Sequence, residues 1–195
     1  DDKEVLSIEK EESTRSLRAG GIIIGKKAPL YCTAVGKAIL AFLSEEKINN
    51  FLEVAQYCPF DFPAVIKVNP FINNIVAPTI YWLSCPYLNY EVDRLEAESN
   101  LISDLGKRLS KDRDFKNLME KNHSKYAAIR KKLLSPEQLQ KAENISEDLY
   151  KTLIESGVGG IRDKEGIKCL HTHLADYLIN QINPVGEIVF TKIDW

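Results

Sequence analysis

From Pro86 to Ser156 apolar residues return every three or four positions, and that pattern restricts the second half of the chain to a fold built on packed helices. Leu88, Val92 and Leu95 form one stripe, Leu101, Leu105 and Leu109 a second, and Phe115, Met119, Asn122, Tyr126, Ile129 and Leu133 a third. Ser135-Pro136-Glu137 reads as a helix start, a capping serine followed by proline at the first helical position, and predicts one long helix toward Glu155. Lys and Glu occupy the opposite faces. His123, among Lys121, Asn122 and Ser124, reads with them as a surface residue.

Strand signals precede this run. Ala64 to Val68 is a short strand candidate, Asn69-Pro70 and Asn73-Asn74 mark turns, and Thr79 to Ser84 reads as a buried strand ending at Cys85-Pro86. Asn183-Pro184-Val185-Gly186 reads as a turn returning the chain to a final strand, Glu187 to Thr191. In the first fifty residues, Lys3 to Ile8 and Leu17 to Ile24 are strand candidates. Ala34 to Leu43 reads as a helix capped by Thr33, and Ser44 opens a second helix broken by Tyr57-Cys58-Pro59.

With 26 basic and 28 acidic residues intermixed, the net charge of −2 gives no field that would draw the chain to nucleic acid or an anionic membrane. Apolar runs such as Ala38 to Leu43 fall far short of the roughly 20 residues that span a bilayer, and no signal-peptide pattern is present. The expectation is a folded, soluble, cytoplasmic protein. Because Asp1 is not methionine, the chain reads as processed or as part of a longer frame. Four dispersed cysteines, Cys32, Cys58, Cys85 and Cys169, point to reduced thiols or a metal rather than disulfides.

Gly157 to Tyr177 carries most of the chemistry, with Gly157, Gly159, Gly160, Arg162, Lys168, Cys169, His171 and His173 close in sequence. Thiolate and imidazole suit zinc, so Cys58, Cys85, Cys169 and either His171 or His173 form a candidate Cys3His metal set. The alternatives are a packing role for the cysteines and a reactive Cys169 with a neighbouring histidine as base. In a regular helix from Ile167, Cys169, His173 and Asp176 share a face. If Cys169 instead precedes the first turn, Cys169 pairs with His171. Gly159, Gly160, Arg162 and Lys168 form a candidate anion-binding set for phosphate or carboxylate; a left-handed helix cap with a tight turn is the plainer alternative. Arg162 reads as a local partner of Asp163.

Two resemblances follow from quoted strings. The run from Arg15 to Glu46, with P-L-Y-C-T-A-V-G-K-A-I-L-A at its centre, resembles the effector-binding domain of IclR-type transcription regulators. That resemblance implies a GAF-like α/β sensor that binds a small molecule and oligomerises, without the winged helix-turn-helix that precedes it in such regulators. The strings Y-C-P-F-D-F-P-A-V-I, A-P-T-I-Y-W-L-S-C-P-Y-L…R-L-E, G-V-G-G-I-R-D…K-C-L-H-T-H-L-A-D and N-P-V-G resemble the bacterial domain of unknown function five hundred and one. That resemblance favours His171 over His173 and implies that the position of Cys85 accepts histidine, an exchange that metal sites tolerate.

The resulting expectation is an α+β chain with a partial GAF-like segment over residues 1–53 and a helix-rich domain with a few short strands over 54–195. Functionally, it predicts a regulatory or binding protein with a structural zinc site, a small-molecule ligand, a homo-oligomer, and no membrane or direct nucleic-acid contact. The alternatives are an enzyme with a metal or anion site acting on a phosphorylated or carboxylated small molecule, and a fragment of a transcription regulator.

Overall fold

The computed structural model describes residues 4–6, 27–29, 51–162 and 166–195. The chain divides into two compact units, Asp1–Asn49 and Asn50–Trp195. In the first, β1 (Glu4–Leu6) pairs antiparallel with β2 (Lys27–Pro29), as the strand expected over Lys3 to Ile8 requires. The strand expected over Leu17 to Ile24, both helices expected after Thr33, the GAF-like arrangement and Cys32 lie outside the described residues.

The second unit combines short antiparallel strands with seven helices among its described residues, an α+β architecture. β3 (Phe51–Tyr57), β4 (Pro63–Val68) and β7 (Tyr81–Leu83) form a three-stranded sheet with β4 central, and β5 (Phe71–Ile72) and β6 (Ile75–Val76) form a small hairpin. β3 replaces the end of the helix expected after Ser44. Its aromatic and β-branched residues Phe51, Val54 and Tyr57 suit a strand, and it pairs with β4 from Phe51 opposite Val68 to Tyr57 opposite Pro63.

The helices are α1 (Pro86–Glu98), α2 (Leu101–Lys111), α3 (Arg113–Lys132), α4 (Pro136–Ile145), α5 (Glu147–Glu155), α6 (Leu170–Asn180) and α7 (Pro184–Phe190). Their predicted stripes meet in one core: Leu88, Leu105, Met119 and Tyr126 pack with Val65 from the sheet and Leu174 from α6. Full burial of each such aliphatic side chain contributes roughly 1.5–3 kcal/mol. No helix among the described residues is long and apolar enough to cross a membrane.

Local chemistry sets the helix boundaries. Ser135 closes a capping box with Gln138, its hydroxyl accepting from the Gln138 amide at 3.2 Å while Gln138 Oε1 accepts from the Ser135 amide at 2.9 Å. The long helix expected toward Glu155 is interrupted at Ser146, which adopts extended geometry and accepts from the Asp148 amide at 3.2 Å, so it ends α4 and starts α5. The expected final strand is also a helix. Asn183 caps α7 by accepting from the Gly186 amide at 2.9 Å, with Pro184 at the first turn, so the Asn-Pro pair is a start signal rather than a turn.

α3 anchors the segment that leads to α6. Arg130, fully buried, donates from Nε to the Leu153 carbonyl at 2.6 Å, from Nη1 to Pro78 at 3.0 Å and Gly157 at 3.3 Å, and from Nη2 to Ser156. Two turns earlier His123, fully buried rather than on the surface, accepts from the Val158 amide at 3.1 Å. The sequence places His123 among polar neighbours, but it faces inward with Met119 and Tyr126 on the third stripe. Gly159 and Gly160 follow in a 3₁₀ turn (Val158–Gly160) with φ of +64° and +78°. These left-handed residues lie beyond the end of α5, whose cap Ser156 is extended, so they shape a loop and do not cap the helix.

Candidate thiol–imidazole site

α6 begins at Leu170, so Cys169 is its N-cap residue and precedes the first turn. The Cys169 side chain makes no capping hydrogen bond, and the exposed amide of the first turn is served from elsewhere. Glu96, on α1, accepts from the Leu170 amide at 2.5 Å. Helix N-termini favour a carboxylate both by dipole and by unsatisfied amides.

The same carboxylate faces His171. Its Oε1 stands 3.7 Å from His171 Nδ1, while Asp93 Oδ1, three residues earlier on α1, stands 3.3 Å from Nε2. Cys169 is exposed and donates from Sγ to Thr172 Oγ1 at 3.5 Å. Imidazole and two carboxylates therefore meet at the helix end where Cys169 is the N-cap residue.

The electrostatics are coherent. Desolvation by neighbouring atoms opposes ionisation of the Cys169 thiol, but the neighbouring His171 and Thr172 outweigh it and bring its pKa down to about 7. Burial also opposes protonation of His171, yet Cys169 and Glu96 raise it to about 9. Glu96 is held below the usual carboxylate range: burial pushes it up, and the His171 ring and Leu170 amide overcome that push. At neutral pH the arrangement favours a substantial thiolate fraction beside an imidazolium.

The other expected ligands lie apart from this centre. Cys58 is buried after β3, in a turn where its amide donates to the Phe62 carbonyl at 2.8 Å, and Cys85 is the buried N-cap of α1. Both belong to the main apolar core, the packing alternative for these residues. His173 is fully buried on the inner face of α6, with Nδ1 3.2 Å from Asn183 Oδ1. Among the described residues the Cys3His set does not assemble. The one group of three with ligating atoms within 4.8 Å of one another is Asp93, Glu96 and His171. These three are the described residues that could hold a cation. Both His171 nitrogens already face carboxylates, which suits a protonated ring.

Asp93 and Glu96 were outside the sequence reading. Glu96 stands in the quoted R-L-E string, but nothing local links it to a residue 74 positions later. Of the expected anion-binding residues, Gly160, Arg162 and Lys168 line one cleft. Arg162 pairs with Asp148, donating at 2.6 and 2.8 Å, and reaches Thr152 Oγ1 at 2.6 Å, while its expected partner Asp163 lies outside the described residues.

Beneath the site lies a buried polar network. Asp176 accepts from Asn122 at 2.9 Å, Asn183 at 2.8 Å and Asn180 at 2.7 Å. Because Asn183 Oδ1 is an acceptor, the network assigns the His173 proton to Nδ1, leaving Nε2 without a hydrogen-bond partner. Burial first, then the nearby His123, depresses the His173 pKa to about 3.

A sign follows for acid stability. The unfolded histidine binds its proton near pH 6.5 and the folded one only near 3, so His173 contributes stability above pH 6.5 that is lost as pH falls through this interval. Asp176, raised mainly by burial with Lys125 opposing, acts in the other direction. Urea midpoints at pH 6.5 and 4.5 should show His173→Gln removing about 2 kcal/mol of the wild-type loss. An unchanged pH dependence would assign that loss to another group.

Comparison with known proteins places these elements in a family. No curated protein and no solved structure matches the chain. Residues 1–65 match the family described as bacterial transcriptional regulator IclR C-terminal, a match that runs through β3 into β4. Residues 54–191 match the family described as protein of unknown function (DUF501). That match holds Cys169, His171, Glu96 and Asp93 together with all seven helices, covers well over half of the chain, and makes the protein a member of the DUF501 family.

Proposed function

We propose that the DUF501 domain is a thiol-dependent catalytic domain in which Cys169 is the nucleophile. The observation that carries the reading is the exposed Cys169 at the N-cap of α6, two residues before His171, with Glu96 accepting from the helix amide and facing the imidazole. In the proposed reaction, the Cys169 thiolate forms a bond to an electrophilic carbon of the substrate as the bond to the leaving group breaks. The His171 imidazolium gives its proton to that leaving group. Water or another acceptor then displaces the carbon from sulfur, and His171 takes up the proton released. Glu96 keeps the ring oriented, and Asp93 adds a second anion beside it.

The test is the alkylation rate of Cys169 at pH 7, followed by peptide mass so that the buried Cys58 and Cys85 do not contribute. His171→Ala is expected to slow the reaction roughly tenfold by returning the thiol to its ordinary range. An unchanged rate would reduce Cys169 to an ordinary exposed thiol.

A second reading, favoured by the mutual spacing of Asp93, Glu96 and His171, is a zinc-class ion held there. Stoichiometric zinc lost in His171→Ala would support that reading against the nucleophile. The likeness of residues 1–65 to the IclR C-terminal family supports small-molecule sensing, a regulatory role and oligomerisation for that segment.

A further inference from the structure

Lys168 and Cys169 are consecutive exposed residues at the entry to α6. Lys168 lines a cleft of about 390 Å³ with Gly160, Ile161, Arg162, Gly166 and Ile167. Its stem lies against Gly159, where an added Cβ would come within 2.9 Å of Lys168 Cγ and 3.4 Å of the Thr172 methyl. Thr172 in turn accepts the hydrogen bond from Cys169 Sγ. The cleft wall and the thiol are thus joined through Lys168 and Thr172.

The two cations of the cleft differ. Arg162 is committed to Asp148 and Thr152 by a bidentate pair and a third hydrogen bond, so its charge is largely matched. Lys168 has no ion pair among the described residues. Ile161 and Ile167 supply an apolar surface, which excludes water and strengthens a charge contact beside it.

Gly166 adds an independent observation. It has no left-handed φ, and a Cβ built on it would meet nothing within 4 Å among the described residues. Neither backbone geometry nor packing against the described residues calls for glycine there. The lack of a side chain leaves this part of the cleft open.

We propose that this cleft binds the anionic group, carboxylate or phosphate, of the molecule that Cys169 attacks, with Lys168 as its counter-charge. The inference deepens the nucleophile reading and rests on it. Gly160 and Gly166 bring the backbone to the cleft surface, and Lys168 brings a cation to it one residue before Cys169 in the chain.

Iodoacetate and iodoacetamide transfer the same kind of carbon to sulfur and differ in one negative charge, so their rates at Cys169 separate the cleft from the nucleophile. Lys168→Gln is expected to slow iodoacetate roughly fivefold, the effect of one partly screened charge contact, and to leave iodoacetamide unchanged. Gly166→Val, which fills the cleft from a position with free space, should discriminate against iodoacetate in the same way. Inorganic phosphate protecting Cys169 more strongly than acetate would point to a phosphorylated substrate, and the reverse order to a carboxylated one. A ratio of the two rates that neither variant moves, with no protection by either anion, would overturn the cleft assignment. Slow reaction with both reagents in the wild-type protein would instead overturn the nucleophile reading and this use of the cleft with it.

Discussion

Arg130→Met is expected to unfold the domain or remove more than about 4 kcal/mol of its stability. Arg130 has no carboxylate partner among the described residues; its fork is filled by the carbonyls of Pro78, Leu153, Ser156 and Gly157. The Leu153 carbonyl is one of the acceptors left open at the end of α5, where the helix dipole also favours a cation. Burial lowers the guanidinium pKa to about 10, with Tyr126 opposing the fall, so the side chain stays charged at neutral pH. Methionine fills much of the volume but donates nothing, and each stranded carbonyl costs about 1–3 kcal/mol. Arg130→Lys, which keeps the charge but loses the fork, should fall between the two. Urea midpoints within about 1 kcal/mol of each other for wild type and Arg130→Met would show that these carbonyls find other donors.

Gly186→Ala should be nearly as damaging, at about 3 kcal/mol or more, although it adds a single methyl group. A Cβ on Gly186 would sit 2.2 Å from the His173 carbonyl oxygen and 2.4 Å from Tyr177 Cβ. The first neighbour is backbone inside α6 and cannot rotate away, so α7 would have to move off it. Gly106→Ala, in the open middle of α2 with nothing within 4 Å, serves as the opposite control and should gain about 0.5–1 kcal/mol. If both variants melt like wild type, α7 packs with more freedom than its geometry indicates.

What the sequence made legible was whatever depends on neighbours a few residues away. The three helical stripes, the strands at Pro63–Val68 and Tyr81–Leu83, and the cap at Ser135 all rest on short-range periodicity or capping chemistry. The break at Ser146 was hidden because the apolar period carries on across it. Asn183-Pro184 carries both turn and helix-start signals, and the packing of Val185 and Val189 into the core decides for the helix.

At the site, the sequence brought Cys169 and His171 together only on condition that Cys169 preceded the first turn, which it does. His173 went to the other side of the same helix, and Cys58 and Cys85 went into the core, because apolar surroundings suit a thiol as well as a metal does. Glu96 and Asp93 were unreadable for a different reason: exposed or half-buried acids beside Val92 and Leu95 look like any solvated helix face until α6 is laid against α1.

Cys169 also has a meaning for how sequence can drift in this domain. Serine, aspartate or asparagine at its position would cap α6 by accepting from the His171 or Thr172 amide and add about 1 kcal/mol, a bond that the Cys169 side chain does not make. Random substitution under a demand for thermal robustness alone would therefore push residue 169 away from cysteine. Variants enriched in a screen for heat resistance should be those that have silenced the centre.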